Sequence, residues 1–89
     1  MPINYDKILE IYGQDMLISI LENLKDVESN VNYLNLLGYS DTIDIFERYP
    51  YIFIQTENEF KSKINELKNK IGDNHVEIIE NNLELLEEL

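Results

Sequence analysis

The chain has no cysteine and no alanine, one arginine, one histidine, and only three glycines and two prolines among its 89 residues. The absence of cysteine excludes a disulfide framework, thiolate zinc sites and a cysteine nucleophile together. Positive charge is scarce: 7 Lys and Arg stand against 18 Asp and Glu, a formal net charge of -11. Long apolar runs are also missing. Met16-Leu17-Ile18 and the stretch from Tyr49 to Ile54 fall far short of the ~20 residues that span a bilayer. The opening Met-Pro-Ile-Asn-Tyr-Asp lacks the basic start and apolar core of a secretory signal, which predicts a cytoplasmic protein with no membrane partner. With 44% hydrophobic residues and few Gly and Pro, the chain is too apolar for a disordered acidic tail. Its length allows one domain, which would bury roughly 60–65% of its unfolded surface.

What is present is helical periodicity. Phe60, Ile64, Leu67 and Ile71 follow an i, i+4, i+7, i+11 pattern that puts all four on one helix face, at the expected centre of the fold. Thr56 and Glu59 form a capping box before this helix, and Gly72 supplies a left-handed stop after it. Glu57 with Lys61, Glu59 with Lys63 and Glu66 with Lys70 are i, i+4 pairs worth ~0.2–0.5 kcal/mol each, on a solvated outer face. Val27, Val31, Leu34, Leu37 and Gly38 repeat the arrangement. Ser40 then caps a short helix carrying Ile43, Phe46 and Tyr49, which Pro50 stops. Asn74 caps the corresponding helix with Val76 and Ile79. Nearer the N-terminus, one stripe of Ile8, Leu9, Ile11 and Tyr12 precedes Gly13, and Met16, Leu17, Ile20, Leu21 and Leu24 form another with Asp15 as its cap.

A shift of 33 residues lays Val27–Leu34 on Phe60–Leu67, Phe46 on Ile79, and Phe53 on Leu86, with one residue of slack between Gly38 and Gly72. The predicted fold class is therefore all-α: a small array of antiparallel helix pairs in a single domain. N-terminal helices (1–26) precede two copies of a ~33-residue helical repeat (27–59 and 60–89). The stretch Val31-Asn-Tyr-Leu-Asn-Leu-Leu-Gly-Tyr-Ser40, then Ile43 and Phe46, then Arg48-Tyr-Pro-Tyr-Ile-Phe53, resembles the repeat of the mitochondrial transcription termination factor family. The resemblance covers residues 27–89, with Glu59–Gly72 as the closing helix. It departs at Leu83, which stands where the first copy has Pro50, so that turn is open to continuing as helix. The resemblance implies a solenoid of helix triplets whose concave face binds nucleic acid.

Phosphate binding needs a basic face. Lys61, Lys63, Lys68 and Lys70 lie close together in sequence and are the candidate phosphate contacts. Three of them, however, follow a carboxylate by one turn, and the rest of the chain is acidic, which argues against a nucleic-acid partner. His75 reads as a surface histidine. Asp41 with Asp44, and Asp6 with Glu10, read as carboxylates at helix N-termini. No Ser or Thr has a catalytic context and no glycine loop cradles phosphate, so no enzyme activity, cofactor or metal is expected.

Tyr33, Tyr39, Tyr49 and Tyr51 crowd the middle of the chain with Phe46 and Phe53. Tyr39 and Tyr51 fall off the inner stripes and are candidate contact residues. Residues 73–89 carry six carboxylates and no Lys or Arg. Ile79 and one of Leu85 or Leu86 are expected to fold back. The remainder of Leu85-Leu86-Glu87-Glu88-Leu89 would form an acid-edged apolar strip for self-association or for docking on a basic protein. The predicted function is a non-catalytic acidic interaction or regulatory module. The alternatives are a nucleic-acid-associated protein of the termination-factor type and an acidic nucleic-acid mimic from a mobile element.

Overall fold

The computed structural model describes residues 3–89. The first two residues of the N-terminal segment 1–26 lie outside that range. Among the described residues the fold is all-α: α1 (Tyr5–Tyr12), α2 (Gln14–Glu22), α3 (Leu24–Leu37), α4 (Thr42–Arg48), a 3-10 turn (Pro50–Phe53), α5 (Glu57–Ile71), α6 (His75–Asn81) and a second 3-10 turn (Leu83–Leu86). The sequence of long helix, glycine, short helix and 3-10 turn thus occurs twice. The short helices and the turns recur at the 33-residue offset, and the one-residue slack is absorbed in α5, which has 15 residues against 14 in α3. The second turn is 3-10 like the first although Leu83 replaces Pro50.

Local chemistry explains most boundaries. Thr56 Oγ1 accepts from Glu59 N at 3.2 Å, as the capping box requires. Gly38 adopts φ 101°, ψ 7° after α3, Gly38 N donates to Asn35 O, and Tyr39 N reaches back to Leu34 O. Together these form a Schellman motif, whose left-handed position favours glycine. Gly72 departs from the expected left-handed geometry. Its φ of 101° is joined to ψ −162°, a region essentially reserved for glycine.

Two expected caps are corrected. Asp41, not Ser40, caps α4: its Oδ1 accepts from Asp44 N at 3.2 Å, at the cost of a positive φ of 24°. The Ser40 hydroxyl is drawn instead to Glu80 Oε2, 2.6 Å away. Asp15 lies inside the first turn of α2, because the N-cap position falls to Gly13.

α3 and α5 lie side by side and run in the same sense. Asp26 accepts from Glu57 N near their starts (3.2 Å), and further along the Tyr33 hydroxyl donates to Asn65 Oδ1 (3.0 Å). The core forms where their apolar faces meet the turns. Phe53 packs between Phe46 (ring centroids 5.5 Å apart, edge-on) and Phe60 (5.2 Å, tilted), in one buried cluster with Val27, Val31, Leu34, Ile64, Ile79 and Leu86. The expected centre is therefore displaced toward the N-terminal half of α5. Phe60 and Ile64 are buried, whereas Leu67 and Ile71 are half-buried, and Leu67 lines a cleft together with the C-terminal residues Leu85 and Leu89.

Candidate interaction surface

The C-terminal strip is mostly folded in. Ile79 and Leu86 are buried, while Leu83 and Leu89 pack half-buried against the core. The Leu89 carbonyl is held by Lys63 Nζ (3.2 Å) and Gln55 Nε2 (3.3 Å). Leu86 is therefore corrected from a contact residue to a core residue. The 3-10 turn points it inward at the place that Phe53 occupies one repeat earlier. Leu85 (37% exposed), Glu87 and Glu88 stay on the surface.

The four lysines do not converge. At 100° per residue, Lys61 and Lys68 form one row along α5 and Lys63 and Lys70 another, about 200° away. Lys61 sits over the Tyr33 ring (5.4 Å) and pairs with Glu57 (2.7 Å). Lys63 turns to Leu89 rather than to Glu59, and Lys70 borders the same cleft as Glu66 and Glu88.

Tyr39 and His75 are the clearest corrections. Tyr39 is buried because it follows the Schellman glycine, where a side chain normally folds back onto the end of its helix. The position relative to Gly38 was a sequence signal for this. His75, at 6% exposure, is buried as well. It opens α6 at the position matching Thr42, which is also buried and donates to Asn35 Oδ1 (2.7 Å). The Tyr39 and His75 rings are 6.2 Å apart, and among the described residues neither the Tyr39 hydroxyl nor His75 Nδ1 has a hydrogen-bond partner. Burial, with Glu80 adding to it, pushes the Tyr39 phenol up to about 12.

Burial first, and then Lys68 on α5, lower the His75 pKa below its ordinary 6.5, while Asp73 opposes them. Protonation is therefore easier in the unfolded chain. The contribution of neutral His75 to stability is complete above about pH 6.5 and is lost as pH falls from there through the folded-state value. Urea titrations across that range are expected to show His75→Thr, which copies the first repeat, with a smaller acid-side loss of stability than the parent. Parallel profiles would place the histidine outside the coupling.

The surface that does assemble lies between α1 and the end of α4. The single Tyr12 hydroxyl proton is shared between the carbonyls of Glu47 and Arg48 (2.9 Å to the latter), at the C-terminal end of α4 where carbonyls lack helical partners. Lys7 pairs with Glu47 (3.1 Å) across the same junction, and Arg48 with Asp44 (3.0 Å). Between them is a cleft of about 470 Å³ that Ile11 and Tyr49 also line. Tyr51 stands edge-on to Tyr49, with ring centroids 6.4 Å apart at 83°. Ile11 is 56% and Tyr51 47% exposed, so both side chains lie at the surface.

Burial, then Tyr51, raises the Tyr12 pKa, with Glu47 and Tyr49 adding and Lys7 opposing. Burial, then Glu87 and Glu84 and then Tyr51, raises that of Tyr49 against Arg48. These phenols stay protonated at neutral pH, as aromatic surfaces with donor hydroxyls. Tyr12 carried no sequence signal for this role, because its partners lie 35 and 36 residues away.

Among the described residues no group of three or more His, Cys, Asp or Glu side chains is placed to hold a metal ion, and no helix is long and apolar enough to cross a membrane. Comparison of the chain with protein-family models, curated proteins and solved structures gave no significant match.

Proposed function

We propose that this chain is a non-catalytic acidic helical module that binds a basic protein partner. The observation that carries the reading is the charge balance. Eighteen carboxylates face seven cations, and three of those cations, Lys7, Arg48 and Lys61, are already ion-paired within the fold. The field outside the molecule is therefore negative, which accelerates encounter with cationic surfaces and repels phosphate backbones. The split of the α5 lysines into two rows weighs against the termination-factor reading, since no single face gathers them.

Anisotropy titrations test this with labelled oligolysine and with labelled duplex DNA and RNA, at low and at physiological salt. Oligolysine is expected to bind with an affinity that falls as salt rises, and neither duplex is expected to bind in the micromolar range. Salt-dependent micromolar binding of either duplex, or no binding of the cationic peptide at low salt, would overturn the proposal.

A further inference from the structure

Resting on that reading, we infer that the α1–α2 pair is the docking surface and that it receives a basic amphipathic helix of the partner. Five of the nine large apolar side chains left exposed among the described residues, Tyr5, Leu9, Ile11, Ile18 and Leu21, belong to these two short helices. Single exposed leucines are ordinary, whereas a concentration of apolar surface marks an interaction site. Ile11 lies apart, on the cleft toward α4. The other four stand beside the buried anchors of two helices that pack against each other across the single residue Gly13. Counted at 100° per residue, both helices show one order around the axis. In α1, Tyr5 and Leu9 lie about 60–100° from buried Ile8, and Asp6 and Glu10 about 160–200°. In α2, Leu21 and Ile18 lie about 100–160° from buried Ile20, and Glu22 and Asp15 about 200–220°. Each helix thus presents an apolar flank and then a ridge of two carboxylates.

The charges on this surface are of one sign. All four carboxylates are exposed, and among the described residues none of them makes an ion pair. Lys7, the one cation of the two helices, reaches away to Glu47 on α4. Lys25, at the start of α3, lies close enough to Glu57 on α5 to favour its ionised form. An apolar flank edged by carboxylates without counter-charge is complementary to a helix with one apolar and one cationic face, whose anchors recur at i, i+3 or i+4, and i+7. A purely apolar segment would leave the four charges unmatched. A second copy of this chain is a poor occupant, because a two-fold contact sets the same patch, with the same four carboxylates, against itself.

The test titrates the full chain into two fluorescein-labelled peptides of equal charge: hexalysine, and a leucine–lysine peptide whose leucines recur at helical spacing. The leucine–lysine peptide is expected to bind about tenfold more tightly. Leu9→Ser and Leu21→Ser are each expected to weaken it about tenfold and to leave hexalysine binding in place. Glu10→Gln combined with Glu22→Gln, two exposed side chains, is expected to keep the melting curve, to weaken both peptides and to flatten the salt dependence, so the site is tested even where a serine variant melts early. Leu36→Ser, at the 77% exposed Leu36 on α3, is expected to leave binding unchanged. Parental affinity for the leucine–lysine peptide in the folded serine variants, or in the glutamine variant, would overturn the assignment of the site and leave the acidic-module reading standing. Equal affinities of the two peptides for the parent would overturn the amphipathic occupant. A parental dimer in sedimentation that Leu21→Ser dissociates would overturn it in favour of a second copy. Failure of both peptides to bind would overturn the underlying reading as well.

Discussion

Phe53→Ala is expected to lower stability by about 3–5 kcal/mol, a large share of the roughly 5–10 kcal/mol that holds a chain of this size folded. The side chain is fully buried in the Pro50–Phe53 turn and contacts both Phe46 and Phe60. Truncation therefore removes transfer energy, leaves a cavity and breaks two aromatic pairs worth about 0.5–1.5 kcal/mol each beyond their area. The cavity cannot be relieved by moving the turn, because the Phe53 carbonyl is tied to α3 by Asn30. Denaturant titration measures the loss. A value under ~1 kcal/mol would show that the core is not centred on this residue.

The second large effect is expected at that tether. Asn30 is buried on α3, and its Nδ2 donates to Phe53 O and to Gln55 O, both at 3.0 Å. Asn30→Leu keeps the shape but strips two poorly solvated carbonyls of their donor, at about 1–3 kcal/mol for each group left unsatisfied. Its own Oδ1 has no partner among the described residues, and removing that orphan offsets part of the loss. A net cost of about 2–4 kcal/mol is expected, with faster amide exchange in residues 50–55. A loss under ~0.5 kcal/mol and unchanged exchange would mean that water replaces the amide freely. In the second repeat Lys63 stands at the matching position and ties down the Leu89 carbonyl.

This pair of tethers shows why part of the fold was legible in the residues and part was not. Apolar periodicity and caps are short-range: Thr56 bonds within its own first turn, and Gly38 closes its own helix. The neighbours along the chain therefore suffice to place such elements. The same holds for the recurrence of long helix, glycine, short helix and turn, because each unit carries its own local signals. Asn30 had no such mark, since its partners lie 23 and 25 residues away.

By itself, then, the sequence determined the all-α class, the doubled unit and the acidic surface, because these follow from local hydrogen bonding, apolar spacing and a count of charges. Only the tertiary structure decided that Leu86 and not Leu85 turns inward, that His75 and Tyr39 are buried together, and that Tyr12 reaches Glu47 while Tyr51 stands edge-on to Tyr49. Periodicity reports which side of a helix avoids water. Which distant side chain covers that side, and which carbonyl receives a hydroxyl, depends on contacts between segments tens of residues apart.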